Sequence, residues 1–175
     1  MNEEEIVKAI KCGKIFIYPT DTIYGIGCDA TRGSAVDKIK DIKGRDEDKP
    51  LSVIAPSIDW IKENLIVDDG LDLDKYFPGP YTVILKKKDV GFLRDVAVGD
   101  SLGVRIPDSE FCDLIRKTEV PFVTTSVNLS GEDFASEIEG ISPDILERVD
   151  VVIDEGKLTG KPSTLVIDGK EVKRN

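Results

Sequence analysis

Histidine is absent from all 175 residues of the chain. That removes imidazole as acid, base or metal ligand, and with it every Ser-His or Cys-His nucleophilic device. Chemistry is left to Lys, Arg, carboxylates, hydroxyls and the backbone. Cysteine is scarce: Cys12, Cys28 and Cys112 are odd in number and far apart, with no Cys-x-x-Cys. Neither a disulfide framework nor a zinc cluster is suggested, and buried or idle thiols are expected. No apolar run approaches the ~20 residues that span a bilayer. Met1-Asn2-Glu3-Glu4-Glu5 lacks the basic-then-apolar pattern of a signal peptide, so a cytoplasmic protein with no membrane association is expected. Basic residues are the minority, 24 Lys and Arg against 34 Asp and Glu. The resulting net charge of −10 argues against a surface that grips nucleic acid by general phosphate attraction. No Gly-x-x-x-x-Gly-Lys-Ser/Thr occurs, which excludes a P-loop. Gly25-x-Gly27-x-x-Ala30 fits a dinucleotide fingerprint only superficially, because Pro19 ends the preceding strand early and Thr31-Arg32-Gly33 interrupts the helix that should follow.

What is present reads as one domain, residues 1–175, with 40% hydrophobic residues to bury a single core. Asn2 caps a helix whose first turn is Glu3, Glu4 and Glu5 and whose apolar stripe is Ile6, Ala9 and Ile10. Ile15 to Tyr18 forms a buried strand closed by Pro19, delivering Thr20-Asp21-Thr22 as an irregular turn. Further strands are expected at Leu51 to Ala55, Tyr81 to Leu85, Leu102 to Ile106, Pro121 to Val127, Val151 to Ile153 and Thr164 to Ile167. Helices alternate with them at Ser34 to Ile42, Ile58 to Leu65 and Ser109 to Lys117, and another opens at Ser142-Pro143 with the hydroxyl as cap. Asp168-Gly169 signals a terminal hairpin into Lys170 to Lys173. Helix-linked strands plus one hairpin imply an α/β fold built on a twisted, mixed parallel and antiparallel sheet with flanking helices.

Several segments carry chemistry, each with an ordinary structural reading beside the functional one. Lys43, Arg45 and Lys49 place three cations within seven residues, either a polyphosphate clamp or, with Asp46, Glu47 and Asp48 interleaved, a solvated charged loop. Arg105 stands alone inside the apolar strand Gly103-Val104-Arg105-Ile106-Pro107, where a guanidinium needs an anion: a protein carboxylate or a ligand's. Thr124-Thr125-Ser126-Val127-Asn128-Leu129-Ser130-Gly131 puts hydroxyls and an amide at a strand end, a common ligand position in α/β sheets and equally a place for turn hydrogen bonds.

The order of these segments is more specific than any one. Tyr18-Pro19-Thr20-Asp21-Thr22-Ile23-Tyr24-Gly25-Ile26-Gly27 is followed by Lys43-Gly44-Arg45 with Lys49-Pro50-Leu51, then Pro78-Gly79-Pro80 and Gly103-Val104-Arg105-Ile106-Pro107. Ser126-Val127-Asn128-Leu129-Ser130-Gly131 and Ser163-Thr164 complete the series. Over nearly its whole length the chain resembles the threonylcarbamoyl-AMP synthase (YrdC/TsaC) family. The resemblance implies an open, twisted α/β sheet curled around a positively charged cavity. It also implies an enzyme, a nucleotidyltransferase, that makes threonylcarbamoyl-AMP and pyrophosphate from L-threonine, bicarbonate and ATP with Mg²⁺. The product serves threonylcarbamoyladenosine modification of tRNA through a threonylcarbamoyl transferase complex. By the same resemblance Thr22, Arg105, Thr124 and Ser163 contact L-threonine, with Arg105 on the carboxylate of the threonine. Lys43, Arg45, Lys49, Ser101, Ser126, Asn128 and Arg174 line the ATP site, with Lys43, Arg45, Ser126 and Asn128 as the catalytic set and no protein-held metal.

Three positions depart from the family pattern. Many relatives carry a threonine-contacting histidine where this chain has Ile54, which implies a differently shaped amino-acid pocket. A serine that touches ATP aligns near Phe134, with Ser136 the nearest hydroxyl, and the usual Arg-x-Gly ending is here Arg174-Asn175. With no histidine, positioning and electrostatics are expected to supply the rate. Asp21 is the one nearby carboxylate, and a turn-forming role is expected for it. The rival function is a related module that binds double-stranded RNA or tRNA in the same cavity without synthase activity.

Overall fold

Amphipathic segments, three of them with side-chain caps, supply the helices and short apolar runs most of the strands in the computed structural model, which describes residues 1–46 and 48–174. Glu47 and Asn175 lie outside the described residues. Helix α1 (Glu3–Lys11) opens on a complete capping box: Asn2 Oδ1 accepts from Glu5 N at 2.9 Å, and Glu5 Oε2 accepts from Asn2 N at 2.9 Å. Helix α2 (Gly33–Ile42) buries Val36, Ile39 and Ile42 as one stripe. Helices α3 (Ile58–Asn64) and α4 (Glu110–Thr118) are capped by Ser57 and Ser109, whose hydroxyls accept from Trp60 N and Cys112 N. Helix α5 is one turn, Pro143–Leu146; Pro143 takes the first helical position, but the Ser142 hydroxyl makes no cap bond. A cap accepts from the second or third helical N–H, and here the third, Ile145 N, donates to the Ser142 carbonyl instead, at 3.0 Å. No helix among the described residues is long and apolar enough to cross a membrane.

The strands are β1 (Phe16–Tyr18), β2 (Gly25–Gly27), β3 (Ser52–Ile54), β4 (Leu65–Ile66), β5 (Tyr81–Lys87), β6 (Ser101–Arg105), β7 (Phe122–Ser126), β8 (Val151–Val152), β9 (Thr164–Ile167) and β10 (Lys170–Val172). They make one sheet in the order β10-β9-β5-β6-β3-β7-β2-β1-β8, with β4 beside β5. The pairs β1–β8, β3–β6 and β5–β9 are parallel and the others antiparallel, the mixed sheet that the sequence implies. In the β9–β10 turn Asp168 and Gly169 both have positive φ, 50° and 72°, as a two-residue hairpin of the Asp-Gly type requires. Phe111 of α4 stacks on Tyr18 at 4.4 Å and meets Phe122 edge-on, which locks α4 onto β1 and β7 over the centre of the core.

β2 has a glycine at each end and no sequence signal of its own. Its reason is proximity: a Cβ on Gly27 would overlap the carbonyl oxygen of Val123, so only glycine lets β7 come this close. The Gly25 and Gly27 pair is therefore strand, which ends the dinucleotide reading.

Strand register positions the site. Arg105, Ile54 and Phe122 lie level across β6, β3 and β7, and Gly103, Ser52 and Thr124 lie level two residues further on. Ser126, a further two residues along β7, pairs with Gly25. Arg105 and Ser126 are thus about 13 Å apart measured along the strands.

Candidate active site

A cavity of about 300 Å³ runs along this stretch of sheet, from Arg105 at one end to Ser126 and Asn128 at the other. It lies at the small end of ligand pockets, ~300–1,000 Å³. The floor comes from β3, β5, β6 and β7 through Ser52, Thr82, Arg105 and Thr124; the Thr20–Tyr24 turn and the Pro162-Ser163 segment close the sides. β6 and β7 run in opposite directions, since β3 is parallel to one and antiparallel to the other. The cavity therefore follows the sheet face, not a row of strand ends. Gly103 in mid-floor has no side chain to obstruct it, and a Cβ there would press into the Ser52 hydroxyl.

Arg105 is the deep cation. Its side chain is 8% exposed, and Nη2 donates to Asp21 Oδ1 at 2.7 Å and Thr22 Oγ1 at 3.3 Å. The other Asp21 oxygen accepts from Asp108 N at 3.1 Å, so Asp21 ties the Thr20–Thr22 turn to the end of β6. The internal ion pair, one of the two readings of this arginine, is present and uses one nitrogen, while Nε is the one buried side-chain polar atom, among the described residues, with no hydrogen-bond partner. Burial pushes the Arg105 pKa down from its ordinary value, opposed chiefly by Asp21, so the site gains from a further anion. Hydroxyls surround it. Thr20 and Thr22 share a hydrogen bond at 2.8 Å, as do Thr82 and Ser163 at 2.7 Å.

At the far end Lys43 reaches up from beneath the turn after β7. Its Nζ donates to the carbonyl oxygens of Ser126 and Asn128, the latter at 2.8 Å, and to Asn128 Oδ1 at 3.2 Å. The same Oδ1 accepts from Ser126 Oγ at 2.5 Å, and Asn128 Nδ2 donates to Glu132 O at 2.6 Å. Burial, with some repulsion from Arg45, lowers the Lys43 pKa to about 8. Lys43 does not line the cavity, and all three of its N–H donors are spent on the wall.

A family model named for Sua5, YciO and YrdC, and described as telomere recombination, matches residues 8–174. The chain belongs to the Sua5/YciO/YrdC family. Among its relatives, a Methanocaldococcus jannaschii protein provisionally named a threonylcarbamoyl-AMP synthase is 40% identical over 177 residues, 95% of this chain and 83% of that protein. The threonylcarbamoyl-AMP synthase of Vibrio campbellii is 31% identical over 175 residues, 94% of this chain and 92% of that protein. Among solved structures, Pyrococcus abyssi Sua5 complexed with L-threonine superposes with a TM-score of 0.83 at 28% identity, over 97% of this chain. This chain spans about half, 52%, of that Sua5 chain. Escherichia coli YciO, at 24% identity and a TM-score of 0.83, shares the fold.

Of the residues that the Sua5/YciO/YrdC pattern nominates, Thr22, Arg105, Thr124, Ser163, Ser126, Asn128 and Arg174 line one cavity. Four others stand outside its lining. Lys43 is behind the wall; Arg45 donates to Pro50 O at 2.8 Å and so shapes its own loop; exposed Lys49 pairs with Asp46 at 3.3 Å. Ser101 begins β6, level with Ser126 and about 10 Å across two strands from it. Electrostatics still link the loop to the cavity: after burial, the charges of Arg105 and Arg45 push the Arg174 pKa down. The charged side chains of the lining are two of each sign, Arg105 and Arg174 against Glu132 and Asp133, so its positive character is concentrated at the deep end and the Arg174 rim. Ile54 lies on the same face of β3 as Ser52 but is buried and absent from the cavity lining, and the Ser136 carbonyl, not its hydroxyl, is engaged, by Leu158 N at 2.7 Å. Cys28 and Cys112 are buried, with Cys112 pushed up to about 12 by burial, while Cys12 is exposed.

Ser52 and Thr82 were not anticipated from the sequence. Their signal is the one that marks Arg105: a polar residue inside an otherwise apolar strand.

Proposed function

We propose that this protein is an L-threonylcarbamoyladenylate synthase. The observation that carries the reading is the deep guanidinium with an unpartnered Nε, ringed by the hydroxyls of Thr22, Thr124 and Ser163. That set suits an amino acid with a hydroxyl side chain: the carboxylate meets Arg105, and the hydroxyls meet the amine and side-chain oxygen. The complex of the 28%-identical Pyrococcus Sua5 with L-threonine supports it.

The neutral amine of threonine adds carbon dioxide derived from bicarbonate and loses a proton to give a carbamate. A carbamate oxygen then attacks the α-phosphorus of ATP, and the bond to the leaving pyrophosphate breaks. Carbamate and triphosphate repel each other in water. Holding them in line within one cavity between Arg105 and the Arg174 rim offsets that repulsion. Ser126 and Asn128 contact the phosphates at the far end, Lys43 holds their turn in shape, and Arg45 and Lys49 lie beyond the rim, where the triphosphate extends out of so small a space. Among the described residues no group of three or more Cys, Asp or Glu gathers as a metal site. Mg²⁺ would come with ATP, bound to its phosphates, and would neutralise part of their charge. The product passes to a threonylcarbamoyl transferase complex acting on tRNA in the cytoplasm.

Incubation with ATP, Mg²⁺, bicarbonate and L-threonine should yield pyrophosphate and a threonylcarbamoyl-AMP mass that vanishes when threonine or bicarbonate is omitted. Folded protein that makes no adduct would overturn the assignment.

A further inference from the structure

β10 (Lys170–Val172) ends the sheet, with β9 on one side and no strand among the described residues on the other. The Asp168-Gly169 turn fixes which of its backbone groups are spare. Lys170 lies opposite Ile167 and Val172 opposite Leu165. In a two-residue hairpin the pair that closes the turn exchanges hydrogen bonds, and bonded pairs then alternate with unbonded ones. Lys170 and Val172 therefore bond inward to β9, while Glu171 and, where the chain runs on, Lys173 turn N–H and C=O outward. The β10 side chains are exposed, Val172 at 46%.

An open edge invites another strand, and charge along it normally keeps neighbours away. Here the charges differ in sign, Glu171 and Lys173 on one face with Val172 between them on the other. Turned about a two-fold axis at Val172, a second β10 runs antiparallel to the first. Glu171 then faces Lys173 of the partner subunit, and Lys173 faces the partner's Glu171, at the positions whose backbone groups are free to bond. Lys75, 3.8 Å from one Glu171 oxygen, leaves the other available. Val172 meets the partner's Val172 as an unbonded pair, the closer kind. Since Val172 is level with Leu165, the seam carries an apolar row, Leu165 and Val172 from each copy. Lys170 would oppose the partner's Arg174, but Arg174 is turned into its own cavity. Sliding one strand by two residues sets Glu171 against Glu171 or Lys173 against Lys173, so the charges select a single register.

We propose that β10 pairs with β10 of a second copy, joining two sheets into one across a two-fold axis at Val172. The pairing also holds residues 173–174, and with them Arg174, at the cavity rim. So short a seam falls below the ~1,200 Å² of stable complexes, and the dimer is a weak one.

Sedimentation velocity from about 1 to 300 µM should show monomer passing reversibly into dimer. Glu171→Pro removes an outward N–H from each copy, spares the β9 ladder, and should abolish the dimer without lowering the melting temperature. Glu171→Lys or Lys173→Glu alone sets like charges opposite each other twice and should weaken the dimer about tenfold. Both changes in one chain should restore it, and an equimolar mixture of the two single variants should form heterodimer. Wild-type protein that stays monomeric throughout, a dimer that survives Glu171→Pro, or charge variants that fail to complement each other would overturn the proposal.

Discussion

Arg105 pairs with Asp21 and, in the proposed reading, meets the threonine carboxylate, and mutation can separate the two. Arg105→Ala leaves Asp21 buried without its cation, a loss of about 3–5 kcal/mol for a broken buried pair. At about 2–4 °C per kcal/mol for a chain of this length, the melting temperature should fall by roughly 10 °C. Adding Asp21→Asn removes the orphaned charge and should restore part of that stability, while the threonine KM stays raised in both proteins. Recovery of the threonine KM together with stability would show that Arg105 acts only as scaffold. Lys43 gives a pH signature. Its pKa in the fold is about 8 against the usual 10.5, so between these values the unfolded chain binds more protons and the Lys43 contribution to stability rises with pH. Activity should move the other way, because loss of the charge beneath the Ser126–Asn128 turn weakens the phosphate end. The kcat/KM for ATP should decline above about pH 8, and Lys43→Arg should abolish that decline; a profile identical in both proteins would refute the role. Arg105 was legible in the sequence because a charge in an apolar strand demands a partner. The site of Lys43 was not, since it depends on where a loop lysine meets a turn more than eighty residues away.

Most elements could be read directly from the sequence, and the reasons are local. The Asn2 capping box, the Ser57 and Ser109 caps and the Asp168-Gly169 turn each act within a few residues. β2 and β4 were missed because both exist through long-range pairing, β2 with β7 and β4 with β5. The strap from Ile153 to Ser163 is of the same kind. It has no regular structure, yet Tyr24 Oη donates to Gly156 O at 2.8 Å and accepts from Glu155 N at 3.0 Å, and Gly160 packs against the backbone of Thr22. A Cβ at Gly160 would overlap the Thr22 carbonyl, so Gly160→Ala should push the strap off the Thr20–Thr22 turn and displace Ser163. The expected outcome is a threonine KM raised about tenfold, with a stability loss of about 1–3 kcal/mol typical of overpacking. Steady-state kinetics with each substrate varied in turn check this; an effect confined to ATP would place the strap at the nucleotide end instead.

At the scale of the whole molecule the net charge of −10 bears on the rival RNA-binding reading. Exposed cations on several faces sit beside acids: Lys14 with Asp150, Lys117 with Glu3, Arg148 with Asp41 and Arg116 with Asp113. Such pairs add little stability, but each cancels a local field that would otherwise draw phosphate. The cavity lining sets Arg105 and Arg174 against Glu132 and Asp133, with Arg45 near enough to bear on Arg174, a set suited to one triphosphate more than to a helix of RNA. Labelled tRNA titrated in an anisotropy assay should therefore show no binding tighter than micromolar at either 50 or 200 mM salt, non-specific affinities being ~10⁻⁴–10⁻⁶ M. Nanomolar affinity that collapses over that range would mean that several phosphates are neutralised at once, and the RNA module would become the better account of the cavity. Weak binding at both concentrations leaves the acidic surface consistent with a synthase that releases a small activated product and relies on a separate transferase to hold the tRNA.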